Sequence, residues 1–207
     1  MVDAQAIVRR LDGLKAERQK HESAWSECYD YTFPERGAGL SGRAFDSQSD
    51  QSRKNRILDD TAIDAARILA ASIVSGTTPS NSLWFSLSVG NNPDDDTDKE
   101  NRWLDDVART LFDNIHASNF DAAAFEFATD LVISGWPVLY IDELPEGGFH
   151  FEQWPVGQCF VSASRSGGLV DTIYREVEMT VEQVVTQYGL DNVSDAARQK
   201  YTAEKYD

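Results

Sequence analysis

The chain of 207 residues has little cysteine, little histidine and a shortage of positive charge. Its two cysteines, Cys28 and Cys159, form no CxxC pair, so the sequence offers no disulfide framework and predicts reduced thiols in a cytosolic setting. Its three histidines, His21, His116 and His150, form neither HxH nor HExxH, which leaves zinc without a recognisable ligand set. No GxxxxGK[ST] phosphate loop occurs. No window approaches the roughly 18 uninterrupted apolar residues of a membrane span. Residues 1–6 carry neither a basic n-region nor an apolar h-region, so no secretory leader is expected. Nineteen basic side chains stand against thirty-five acidic ones, a net charge of −16. That balance argues against a conventional DNA-binding surface, whose affinity grows with the number of phosphates that Lys and Arg neutralise.

What is present is ordinary globular material, 41% hydrophobic and 26% charged, enough for one large domain or two small ones. The charge is uneven. Residues 1–56 hold 10 Lys/Arg and 9 Asp/Glu, net +1, whereas residues 57–207 hold 9 and 26, net −17. A near-neutral arm therefore precedes an acidic body.

Residues 4–25 read as an amphipathic helix with Ile7, Leu11, Leu14 and Trp25 at helical spacing, Asp3 as N-cap, and Arg9, Arg10, Lys15, Arg18 and Lys20 on a solvated or subunit-contacting face. Apolar periodicity vanishes from 32 to 55, which predicts a long functional or partner-ordered loop. A second helix, alanine-rich, is expected from Ile57 to Ser75, with Gly76 and Pro79 as stop signals. A short strand is expected over 84–89. A third helix follows over 98–117, opened by a Thr97/Glu100 capping box and burying Leu104, Val107, Leu111 and Ile115. Ser118-Asn119-Phe120 interrupts it, and a fourth helix, 121–134, turns Phe125, Ala128, Leu131 and Val132 inward before Gly135. Strands are then expected over 138–141, 149–152, 158–163 and 169–177 as an antiparallel meander, with Leu169, Ile173 and Val177 on one face. Thr180 and Gln183 form a capping box for a short helix to Tyr188, and a last helix starts near Ser194. The fold class is α+β: a helical N-terminal half packed with a small antiparallel β-meander, then short C-terminal helices.

Three chemical motifs dissolve on inspection. Gly37-Ala38-Gly39-Leu40-Ser41-Gly42 matches GxGxxG but lacks the preceding strand and following helix that a dinucleotide fold requires. The acidic run from Asp94 would place Lys99 where a calcium loop needs glycine, and reads instead as a helix start. The acid doublets Asp59-Asp60, Asp105-Asp106 and Asp142-Glu143 could serve a carboxylate hydrolase only if the fold converged them, because adjacent acids on a helix point about 100° apart. The five tryptophans are expected to pack in core elements rather than stack on sugars. No enzyme, cofactor or metal is expected.

The order of several motifs carries more weight. Ile57-Leu58-Asp59-Asp60-Thr61-Ala62 opens an alanine-rich helix that closes through Leu69-Ala70-Ala71-Ser72-Ile73-Val74-Ser75-Gly76-Thr77-Thr78-Pro79, followed by Trp84-Phe85. Then come Ser118-Asn119-Phe120, Gly135-Trp136-Pro137-Val138-Leu139-Tyr140 and Asp171-Thr172-Ile173-Tyr174-Arg175-Glu176. This succession, across most of residues 1–190, resembles the head-to-tail connector, or portal, proteins of short-tailed bacteriophages. The resemblance implies a structural subunit of the virion, assembled in the host cytoplasm into a ring of twelve copies at one capsid vertex. Its implied partners are other copies of itself, capsid and tail proteins, a terminase motor bound through stem and clip regions, and DNA that passes without sequence-specific binding; no membrane is involved.

On that resemblance residues 1–56 form an arm, 57–190 a wing-like core, and 191–207 a terminal helix ahead of the family's stem and clip, so that a fragment, a truncated frame and a split gene are the alternatives. Arg9, Arg10, Arg53, Lys54 and Arg56 are the candidate subunit-interface residues, expected to meet acidic neighbours across a head-to-tail contact. The competing function is a stand-alone acidic module, or DNA mimic, on a basic partner surface.

Overall fold

The structure, a computed structural model, describes residues 4–37, 40, 57–89 and 98–204. It divides into two compact units, residues 1–174 and 175–207. In the first, the chain runs α1 (Ala4–Thr32), a 3-10 turn (Pro34–Arg36), α2 (Thr61–Thr77), α3 (Asp98–Ala117), α4 (Phe120–Ser134), β1 (Val138–Glu143), β2 (Phe149–Trp154), a second 3-10 turn (Val156–Gln158) and β3 (Cys159–Ser162). Strand β4 (Thr172–Arg175) ends at the junction, and α5 (Val181–Tyr188), a 3-10 turn (Leu190–Asn192) and α6 (Asp195–Glu204) make the second unit. The α+β class is as expected, with two antiparallel two-stranded sheets in place of one four-stranded meander. Two short 3-10-linked ribbons result because Pro155-Val156-Gly157 turns the chain between β2 and β3.

Helix α4 is the centre of the first unit. On one side Tyr29, Phe33, Leu40, Ala66 and Ile133 form an apolar cluster; on the other, Phe120, Ala123 and Ala124 pack with Phe151 of β2. The expected inward face is corrected here. Phe125 is exposed, whereas Ala123, Ala124, Thr129, Asp130 and Ile133 are buried with Ala128. Small residues let α2 and β2 approach α4 closely, so the alanine face is the interior one and the bulky Phe125 lies outside it. The α3–α4 break has a local cause. The Asn119 side chain pairs with the Phe151 backbone, donating to its carbonyl at 2.6 Å and accepting its N–H at 2.9 Å, much as a strand neighbour would. At the other end Gly135 takes φ 82°, the left-handed cap that favours glycine, and its N–H closes the helix on the Leu131 carbonyl.

Strands β1 and β2 pair from Val138↔Trp154 to Glu143↔Phe149, and Tyr140 stacks on Trp154 at 4.7 Å between ring centroids. The predicted capping box is formed as expected: the Gln183 amide donates to the Thr180 hydroxyl, and the Thr180 amide donates to the Gln183 side chain. Helix α3 buries or half-buries Leu104, Val107, Leu111 and Ile115, also as expected.

Other expectations shift. Helix α1 runs seven residues past Trp25, because the polar run after that residue ends on Tyr29, which is fully buried. Helix α2 starts at Thr61, where Asp59 accepts both the Thr61 amide and hydroxyl; those two bonds hold the Asp59 carboxyl below the usual range. Residues 83–88 form no strand; the indole of Trp84 stacks on Phe120 and fixes the segment by its side chain instead. The last two strands are shorter than expected, and Leu169, Ile173 and Val177 are exposed. The N-cap at Asp3, the capping box at Thr97 and the Asp94 loop start lie outside the described residues.

Candidate functional site: interface residues and the polar anchors of α1

Of the five candidate interface residues, Arg9 and Arg10 are described, both exposed on the first turns of α1; Arg53, Lys54 and Arg56 lie outside the described residues. The Arg9 side chain donates back to the Gln5 carbonyl at 3.3 Å. Arg10 reaches the Ser162 hydroxyl at 3.5 Å, the outer limit of a hydrogen bond. Both stand in the first turns of a long helix.

Two other arginines, both read as ordinary surface or loop residues, are anchors. Arg18 belongs to the basic stripe by sequence but is half-buried. Its guanidinium donates to the carbonyls of Gly157 (2.9 Å) and Cys159 (3.1 Å), pairs with Glu22 at 2.8 Å, and lies 3.9 Å over the Phe160 ring. It satisfies backbone acceptors around the β2–β3 turn and rests its charge on an aromatic face. Its spacing from Leu11, Leu14 and Trp25 placed it on the apolar stripe, and that periodicity was the signal to read.

Arg36 lies in the stretch 32–55, expected to be a long functional or partner-ordered loop. Phe33, Pro34 and Gly37 are buried there, and the short 3-10 turn delivers Arg36 to the carboxylate of Asp130, which is 1% exposed. Nε donates to Asp130 at 3.0 Å and Nη2 donates to Gln153 Oε1 at 3.1 Å. The Tyr29 hydroxyl donates to the same carboxylate at 3.0 Å, and the Gln153 amide donates to its other oxygen. Four elements, α1, the first 3-10 turn, α4 and β2, thus converge on one buried charge. Burial would lower the Arg36 pKa, but the hydrogen bond and charge of Asp130 outweigh it and the value is raised. Burial, reinforced by Asp130, pushes the Tyr29 phenol far above its ordinary value, so it stays a donor. The missed signal was a lone acid in the apolar run Phe127-Ala128-Thr129-Asp130-Leu131-Val132-Ile133.

The acidic and aromatic candidates do not converge on a reaction centre. All three acid doublets are exposed and none is gathered with another. Among the described residues no group of three His, Cys, Asp or Glu side chains could hold a metal. His116 does meet a carboxylate, Asp121, at 2.8 Å through Nδ1, yet its Nε2 accepts from the Trp84 indole at 3.3 Å. Indole is a donor only, so the Nε2 nitrogen that a nucleophile would need is occupied. Trp103 corrects the packing expectation, being 63% exposed, whereas Trp25 and Trp136 pack against each other at 5.6 Å. Of the GxGxxG match, Gly37 ends the 3-10 turn, and Gly39 and Gly42 lie outside the described residues. No helix among the described residues is long and apolar enough to cross a membrane.

The family model described as bacteriophage head to tail connecting protein matches residues 4–207. The chain belongs to that family. Two curated relatives agree with the assignment. The "Portal protein" of Salmonella phage epsilon15 is 29% identical over 196 residues, 95% of this chain and 34% of the relative. The "Probable portal protein" of Bordetella phage BPP-1 is 29% identical over 200 residues, 91% of this chain and 33% of the relative. This head-to-tail connecting chain therefore spans about a third of the length of the curated relatives it matches.

Proposed function

We propose that the chain is the wing-region part of a portal subunit, a structural component of the virion that closes into a ring at one capsid vertex and lets DNA pass during packaging and ejection. The observation that carries this reading is the family match across residues 4–207, with relatives named portal proteins. In this reading residues 57–190 are the wing-like core, 1–56 the arm that reaches a neighbour, and 191–207 the lead into stem and clip. The ring holds twelve copies, meets capsid and tail proteins, engages a terminase through the regions beyond this stretch, and is built in the host cytoplasm.

The physical features fit such a role. A conduit should not grip its cargo, and a net charge of −16 per copy repels phosphate and avoids the counterion-release affinity that would stall sliding. Its polar anchors, Arg18 and the Arg36–Asp130–Gln153 cluster, each join separate structural elements.

The test is mass measurement and negative-stain imaging of the full-length polypeptide that contains these residues. Closed rings with a central opening are expected. A compact monomer that binds a basic partner tightly would overturn the portal reading in favour of an acidic module.

A further inference from the structure

Helix α2 is apolar in composition yet leaves Ile68 68% exposed, and just ahead of it Leu58 is 98% exposed. Leu58, Ala62 and Ala65 form one wall of a groove of about 920 Å³, and the last turns of α1, with Tyr31 and Glu27, form the other. The rim is acidic: Glu27 stands on one side and Asp59 on the other. At the opposite end of α1 the composition is inverted. Ile7 and Val8 are exposed apolar side chains beside Arg9 and Arg10. One surface is apolar with an acidic rim, and the other is apolar with a basic rim.

Both surfaces belong to one uninterrupted helix. From Arg9 to Glu27 is 18 residues, about 27 Å at the α-helical rise of 1.5 Å per residue. A rigid helix cannot fold its tip onto its own far end, so these complementary surfaces can meet only between copies. Because the two surfaces differ, the contact is heterologous, and its repetition generates a ring where the rotation closes.

We infer that the α1 tip of one copy docks in the α1–α2 groove of the next, with Ile7 and Val8 against Leu58 and Tyr31 and with Arg10 facing Glu27 and Asp59. This rests on the ring reading above and adds to it the surface that accepts the basic arm. The apolar contact supplies most of the stabilisation, and the charges set partner and register. Exchanging the weak 3.5 Å reach to Ser162 for two ionised carboxylates favours the docked position of Arg10.

The test uses the full-length polypeptide with Cys28→Ser as background. Val8→Cys combined with Leu58→Cys should give a ladder of disulfide-linked copies on mild oxidation, since only Cα atoms within about 7 Å are bridged; neither single variant should. Separately, Arg10→Glu should lower the ring fraction about tenfold at low salt, and adding Glu27→Arg with Asp59→Arg should restore it. Rings without a ladder and without rescue would overturn this contact and leave the ring reading standing. A bridge formed within one copy, or to a different protein, would overturn it as well. Absence of rings from the unaltered polypeptide would remove both readings together.

Discussion

Helices α2 and α4 are near twins in composition. Each carries ten apolar residues, rich in alanine, within a stretch of 17 and 15 residues respectively. Yet α4 buries seven residues, one of them charged, while α2 buries only Ala66 and Ala70. The difference is position. Helix α4 lies between α2 and β2, with α1 also against it, so that its inner face is covered and even Asp130 can be enclosed once Tyr29, Arg36 and Gln153 satisfy it. Helix α2 touches the rest of the chain along one narrow stripe. Hydrophobic content measures what a helix could bury, and neighbours decide what it does bury.

The sharpest way to break this contrast is Asp130→Ala. It would strand the Arg36 charge and the Gln153 amide in the interior, and a loss of about 3–5 kcal/mol is expected in urea unfolding. Next comes Ala128→Leu, which adds volume to the enclosed face of α4 and should cost about 1–3 kcal/mol. The third prediction uses pH. Above a pH near 10 the unfolded phenol of Tyr29 ionises while the folded one, with its raised pKa, keeps its proton. Stability is therefore lost as pH rises past that point, by about 1.4 kcal/mol per pH unit. Tyr29→Phe should flatten the alkaline slope of the unfolding midpoint, and an unchanged slope would mean that burial beside Asp130 does not hold the proton on the phenol. The smallest effect belongs to α2. Ile68→Ser should leave the stability of the single copy within about 0.5 kcal/mol; a larger loss would show that the outer face of α2 is already covered within one copy.

Much of this fold could be read from local chemistry. The α3 stripe at Leu104, Val107, Leu111 and Ile115, the cap at Gly135, and the Thr180–Gln183 box depend on neighbours three or four positions away, so periodicity finds them. The polar anchors do not. Arg36, Asp130 and Gln153 are separated by 94 and 23 residues and are meaningful only together. Each alone resembles a loop cation, a helix acid or a strand amide. Strand assignment failed in a similar way: residues 84–89 alternate well, but no strand among the described residues pairs with them, and a strand requires a partner rather than a pattern. The family resemblance rested on motif order across most of residues 1–190, which is why it held where single motifs carried little.

At about 43 Å for its 29 residues, α1 is long enough to act as a strut. It is pinned at Arg18 and again at Tyr29, roughly 16 Å apart, and two pins fix the aim of a rod where one would let it swivel. The N-terminal end extends about 21 Å beyond the nearer pin, so a ten-degree error at the pins would swing it by roughly 4 Å, a full side-chain width. Loss of the Arg18 bonds would thus misdirect residues that Arg18 never touches, and subunit registry would be decided far from the contact itself.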